Sequence, residues 1–288
     1  MKLNDQKLGD VFLALLKGES GLGKSIALAS YAVLGPMYIF DFEDRMRSVK
    51  NYYQRIGRQD IIDNIEFDTY YSFSKVRKKI EALQMNPKGI KSIGWDSLTS
   101  FTDRALSNTK DFKQDSQEKT GQNAGRTVGE FRVNTLDDFS AETSAVKEFV
   151  IEHALIFKSM KINFILTAHV IKVREEGEGK ITHISRYLMT GGKKVAQIIP
   201  GYYDEAYHFN IEPGMSTSDA VKYTARTTHS GDDWAKTSLN LPTKIDFTNK
   251  VFYEEIAKYV PKQPTPDITK GELIVPSSVL TKDTFRAD

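Results

Sequence analysis

The sequence predicts an α/β fold: a mostly parallel sheet flanked by helices, with an antiparallel strand extension at its C-terminal end. Three observations lead there. From Val11 to Val170 short apolar runs alternate with longer amphipathic stretches, as they do when crossover helices join parallel strands. A glycine-rich turn, GESGLGKS from Gly18 to Ser25, is fed by one apolar run and followed by another. After Pro200 the pattern changes to strand-like runs in close succession.

Taken in order, VFLALL (Val11 to Leu16) is the first strand, and helical spacing follows from Lys24 to Leu34. MYIFDFE from Met37 is the second strand, followed by a helix from Met46 to Ile56, the strand NIEFDTYY from Asn64 and a helix from Lys75 to Met85. SIGWDS from Ser92, helices from Leu98 to Leu106 and from Leu136 to Met160, and NFILTAHV from Asn163 complete the alternation. Two polar segments break it, Thr109 to Arg132 and Lys172 to Lys194. Both directly or soon follow a strand on the sheet edge where open α/β folds hold ligands, so they are read as irregular loops, either functional or simply solvated and mobile, the second resembling a hairpin around Gly177 and Gly179. DEAYHFNI and AVKYTART predict an antiparallel pair, followed by LPTKIDF and a short helix from Lys250 to Tyr259. Prolines from Pro261 onward forbid regular structure, which divides the chain into a domain over 1–260 and a tail over 261–288 that is flexible or docks on a partner.

Composition narrows the chemistry. The chain has 288 residues, 40% of them hydrophobic, and a formal charge of +2, so bulk charge points to neither nucleic acid nor membrane. It has no cysteine, which excludes disulfides, thiolate nucleophiles and cysteine-bound zinc. The apolar core near the N-terminus is too short for a signal sequence, and no run approaches the roughly 20 apolar residues of a membrane span. These features predict a cytoplasmic protein with no membrane partner.

GESGLGKS fits the phosphate-loop pattern GxxxxGK[ST] with Gly18, Gly23, Lys24 and Ser25 at its fixed positions and Glu19, Ser20, Gly21 and Leu22 between them. With Ile26 these residues form the candidate nucleotide site. Glycines let the backbone wrap a phosphate, Lys24 reaches the β and γ oxygens, and the Ser25 hydroxyl ligates magnesium. The competing reading, an ordinary strand-to-helix turn, requires none of these residue types together. Asp96, closing SIGWD, is the candidate second magnesium partner; its alternative role is to cap the helix beginning near Leu98. Ser97 stands where many such enzymes have a glutamate, so the base must come from elsewhere. Glu43 at the end of MYIFDFE is the candidate, sharing a strand face with Asp41; the alternative is a solvated strand end paired with Arg45 or Arg47.

GESGLGKS, YIFDFEDRMRSVKNYYQRIG, SIGWDS and FILTAHV together resemble the core of RecA-type ATPases in order and spacing. The GKK segment, IPGYYDE and WAKTSLNLP extend the resemblance to phage-encoded RecA-like AAA-type ATPases, some of which anneal single strands. The resemblance implies a RecA-like P-loop NTPase core that uses ATP and Mg2+. Within it Glu43 activates water, and His169 senses the γ-phosphate and relays to DNA, where RecA itself has glutamine. It also implies that the loops after the two later strands hold single-stranded DNA. Lys172, Arg174, Lys180, Arg186 and Tyr187 in one, and Arg126 and Arg132 in the other, are the candidates, cations with a stacking platform. A neighbour's cation would complete the catalytic site, with Lys193 and Lys194 as candidates and Arg226 behind them, in a homo-oligomeric filament or ring. A single-strand binding protein is a further implied partner, and a host-cell cytoplasm the implied compartment. The expected function is a magnesium-dependent ATPase that binds single-stranded DNA and promotes annealing or strand exchange in phage recombination or replication. Two alternatives are a P-loop phosphotransferase acting on a small acceptor and a nucleotide-gated accessory module of a replication or packaging machine.

Overall fold

The computed structural model describes residues 11–70, 72–117, 127–128, 131–132, 136–177, 180–190, 193–213, 221–230 and 234–260. The strands are β1 (Leu13–Gly18), β2 (Met37–Asp41), β3 (Ile65–Thr69), β4 (Ser92–Asp96), β5 (Thr127–Val128), β6 (Phe131–Arg132), β7 (Asn163–Gly177), β8 (Lys180–Leu188), β9 (Glu205–Glu212), β10 (Lys222–Arg226) and β11 (Lys244–Asp246). The helices are α1 (Lys24–Ala29), α2 (Met46–Arg55), α3 (Gln59–Asp63), α4 (Phe73–Met85), α5 (Leu98–Gln117), α6 (Leu136–Val146), α7 (His153–Ser159), α8 (Lys193–Tyr202) and α9 (Phe252–Ala257). A 3-10 turn continues α1 to Leu34, and a π-helical stretch joins α6 to α7.

The main sheet has the order β11-β10-β9-β1-β7-β4-β2-β3. From β9 to β3 every neighbouring pair is parallel, and β10 and β11 add antiparallel strands at the far edge. The predicted class is therefore the observed one. Strand alternation divides the core into two layers. Leu13, Leu15, Tyr38, Phe40, Trp95, Phe164 and Leu166 face α4, α5, α7 and α8. Ala14, Leu16, Met37, Ile39 and Ile165 face α1, α2, α3 and α9. The first layer is rich in rings, with Trp95 lying 5.0 Å from both Phe40 and Phe101 and 4.9 Å from Phe42 between centroids. Such pairs add about 0.5–1.5 kcal/mol each beyond their buried area. The same parity puts Asp41, Asp96, Thr167 and His169 on the α1 side, next to the phosphate loop.

Three sequence expectations change. The Thr109 to Arg132 segment is not wholly irregular: α5 runs on to Gln117, and β5 pairs with β6 in a small antiparallel hairpin. The helical reading stops near Leu106 because the continuation, SNTKDFKQDSQ, is polar apart from Phe112 and carries no apolar stripe. Helix α8 was not anticipated, because Pro200 and Gly201 in its last turn read as a break. Strand β2 ends at Asp41, so Glu43 does not share a strand face with it. The Asp41 carboxylate instead accepts the backbone N–H groups of Glu43, Asp44 and Arg45 and turns the chain sharply. The tail over 261–288 lies outside the described residues. Among the described residues no helix is long and apolar enough to cross a membrane.

Candidate nucleotide site

The phosphate loop leaves β1 at Gly18 and enters α1 at Lys24. A side chain at Gly18 would place its Cβ 2.8 Å from the Phe209 carbonyl oxygen, so only glycine fits between β1 and β9 there. Gly21 and Gly23 both have φ of 80°, the left-handed region that folds the loop over the helix N-terminus. Lys24 is 6% exposed, and its Nζ donates to the carbonyl oxygens of Gly18 at 3.0 Å and Glu19 at 2.6 Å. Burial lowers its pKa to about 8, against the nearby charges of Asp96 and Glu43, which act to raise it. The buried ammonium is poised for an anion that would restore its ordinary basicity.

His169 stands beside Gly18 in the β1–β7 register and joins two functional groups. Its Nδ1 lies 3.3 Å from Lys24 Nζ, and its Nε2 lies 3.3 Å from Glu43 Oε1. The neutral tautomer with the proton on Nε2 fits both contacts, accepting from the ammonium and donating to the carboxylate. Thr99 Oγ1 accepts the His169 backbone N–H and fixes the end of this part of the strand.

Glu43 is pinned more tightly than a solvated strand end would be. Its Oε1 accepts from Ser97 Oγ at 2.5 Å and Ser100 Oγ at 2.9 Å as well as from His169, and its Oε2 lies 3.0 Å from Arg45 Nε. Burial pushes the carboxyl pKa up, but hydrogen bonds from His169, Ser97 and Ser100 and the Arg45 charge outweigh it and hold the group at about 2. It is therefore ionised throughout the neutral range.

Asp96 does not cap α5. Ser97 does, its Oγ accepting the Ser100 N–H at 3.3 Å. Thr167 Oγ1 donates to Asp96 Oδ1 at 2.5 Å, while Oδ2 is buried with no hydrogen-bond partner. Burial raises the Asp96 pKa to about 6, against the hydrogen bonds from Thr167 and Ser25. An orphaned carboxylate oxygen next to the Ser25 hydroxyl offers hard oxygen donors, so these residues fit Mg2+. Ser25 and Asp96 would hold it, and it would neutralise charge building on the phosphates.

These groups line a cleft of about 270 Å3. Its lining also takes in Tyr52, Arg55, Tyr223, Phe247 and Asn249, none of which sequence reasoning had singled out. The Tyr52 hydroxyl donates to the Lys250 carbonyl at 3.0 Å, and the Tyr223 and Phe247 rings lie 6.2 Å apart at the mouth of the loop. Ser97 and Ser100 were also missed as partners of Glu43; their spacing of three after a strand-end aspartate was the available signal. A second cavity of about 440 Å3 adjoins the cleft and shares Glu43, Arg45 and His169 with it.

The other expected residues divide. Strand β7 runs without a break from the sheet into a hairpin with β8, pairing Lys172 with Arg186, Arg174 with Ile184, Ile171 with Tyr187 and Gly177 with Lys180. Tyr187 thus falls at a register position of opposite parity to Lys172, Arg174 and Arg186. Lys172 Nζ lies 2.6 Å from Glu19 Oε1, so this cation already touches the phosphate loop. Arg132 is in β6, Lys193 and Lys194 open α8, and Arg126 lies outside the described residues. Arg226, in β10, donates from Nη1 to Ser230 Oγ of its own chain at 2.5 Å.

No curated protein matches this sequence. A family model described as an AAA domain matches residues 13–238, a span that takes in the phosphate loop, Glu43, Asp96 and His169. With that match and a P-loop at the head of a parallel sheet, the chain belongs to the AAA-domain family of P-loop nucleotide-binding proteins.

Proposed function

We propose that the protein is a magnesium-dependent ATPase whose turnover responds to single-stranded DNA, and that it promotes annealing or strand exchange in phage recombination or replication. The observation that carries the ATPase reading is the group around His169: Lys24 on its Nδ1 and Glu43 on its Nε2, within a cleft that also holds Ser25 and Asp96. Glu43, ionised and buried beside the phosphate loop, is the base that takes a proton from water. Lys24 binds the β and γ oxygens, and the rings of Tyr52, Tyr223 and Phe247 in the cleft's lining receive the base of the nucleotide.

The coupling to DNA rests on connectivity. His169 and Lys172 stand on the strand that becomes the β7–β8 hairpin, so a ligand on the hairpin shares one element with the γ-phosphate end of the cleft. The sequence resemblance to phage RecA-like proteins supports the biological part of the reading, and with it a head-to-tail homo-oligomer. The adjoining cavity beside Glu43 favours a second reading, phosphoryl transfer to a small acceptor placed there.

Steady-state ATP hydrolysis at low salt, with and without single-stranded DNA, tests both. Stimulation that fades as salt rises is expected, because phosphate contacts yield to counterion competition. Turnover indifferent to DNA overturns the coupling, and release of a phosphorylated acceptor in place of inorganic phosphate selects the second reading.

A further inference from the structure

The hydrogen bonds around Glu43 are uneven. Oε1 is held by two serine hydroxyls and His169, all on the sheet or the first turn of α5. Oε2 is held by Arg45, whose side chain is 50% exposed while that of Glu43 is 7% exposed. A carboxylate whose second oxygen is bonded to a guanidinium is a poor acceptor for a proton from water. As the site stands, the base is engaged.

Arg45 is also placed to leave. It lines both the cleft and the adjoining cavity, and its charge is felt at Lys24, whose ammonium it makes more acidic. Its backbone is fixed, since its N–H bonds to Asp41 Oδ2 at 3.1 Å at the start of α2, so only the side chain needs to swing. A terminal phosphate carries more negative charge than a carboxylate and offers planar guanidinium two oxygens at once.

We propose that Arg45 is a ligand-displaced clamp: a γ-phosphate in the cleft draws the guanidinium from Glu43 Oε2 and opens that oxygen to the attacking water. This rests on the ATPase reading and deepens it. In the step itself the water oxygen bonds to the γ-phosphorus, its proton passes to Glu43 Oε2, and the bond from the γ-phosphorus to the β–γ bridging oxygen breaks with ADP leaving. Arg45 then touches the transferred group, which makes it a further catalytic residue, and ADP, with no γ-phosphate, leaves the clamp on Glu43.

The test is nucleotide affinity, measured by titration calorimetry with ATP and with ADP, alongside turnover. Arg45→Ala is expected to weaken ATP at least about tenfold while leaving ADP within about twofold, since a charge-assisted bond to the γ-phosphate is lost alone. Arg45→Lys is expected to recover part of the ATP affinity. Glu43→Gln, which no longer holds the guanidinium, is expected to bind ATP more tightly than the native protein, a gain that disappears in the double variant with Arg45→Ala. Equal changes for ATP and ADP, or an unaltered ATP affinity in Arg45→Ala, overturn the clamp. Native protein that binds ATP with this pattern but does not hydrolyse it overturns the ATPase reading and leaves the displacement of Arg45 standing. Native protein that binds no nucleotide overturns both.

Discussion

The two sets of side chains that line the cleft are built on opposite principles. In the phosphate set most polar atoms are committed: Lys24 to two carbonyls and His169, Glu43 to two serines, His169 and Arg45, and Asp96 to Thr167. The other set is made chiefly of rings, Tyr52, Tyr223 and Phe247, together with Asn249 and Arg55. Charge has to be placed to within a hydrogen bond's length, whereas a stacked surface tolerates small shifts and many residue types. Damage in the phosphate set should therefore abolish function, and damage in the ring set should only dilute it.

The largest expected effect comes from Lys24→Ala. It removes the buried ammonium and should weaken ATP beyond about a thousandfold, through loss of charge-assisted bonds from a buried group, as read by fluorescent-nucleotide titration. Retained tight binding would place the phosphates elsewhere and erase the contrast between the two sets.

Asp96→Asn should have two opposed effects. The folded-state pKa of about 6 lies above the ordinary carboxylate value, so the native protein is favoured when Asp96 is protonated. Its contribution is most favourable below about pH 4 and declines as pH rises through 6. Asparagine does not titrate, so in urea unfolding without ligand the variant should gain on the native protein between those values, by an amount on the order of 2 kcal/mol at pH 8. The same variant should lose the thermal stabilisation that ATP and Mg2+ together confer. A variant less stable at pH 8 would show that Asp96 serves the fold rather than a cation.

The smallest effect belongs to the ring set. Tyr52→Ala should raise KM for ATP by about tenfold with kcat nearly unchanged, since stacking contributes about 1–3 kcal/mol per base and acts before the chemistry. A fall in kcat instead would mean that the ring set positions the γ-phosphate, and the two sets would have to be treated as one device.

The same contrast governs what the sequence disclosed. The phosphate loop is legible because each fixed position answers a demand no other residue type meets, such as the close approach of β9 at Gly18 or the left-handed turn at Gly23. Asp96 is legible as the acid that closes an apolar strand after the loop, and His169 through the resemblance of FILTAHV to the RecA-type core. Glu43 was found by position, but the turn that presents it depends on Asp41 folding the chain back on itself, a tertiary event without a local pattern. Tyr223, Phe247 and Asn249 arrive from the antiparallel extension, and Phe247 and Asn249 lie past residue 238, where the family match ends. Nothing in a stretch such as IDFTNK announces a wall of a nucleotide cleft.

Gly94 in β4 sets the height of the whole site. A methyl group there would sit 2.7 Å from Leu28 Cδ2 of α1 and 2.9 Å from Met37 Cε, so the Leu28 side chain packs directly on the strand backbone. Ser25 and Asp96 belong to those two elements, one residue in from the loop and two along from the glycine. The spacing between the hydroxyl and the carboxylate that would share a cation is thus measured out by a missing side chain, and the smallest possible insertion into the core would reach the chemistry as a change of span.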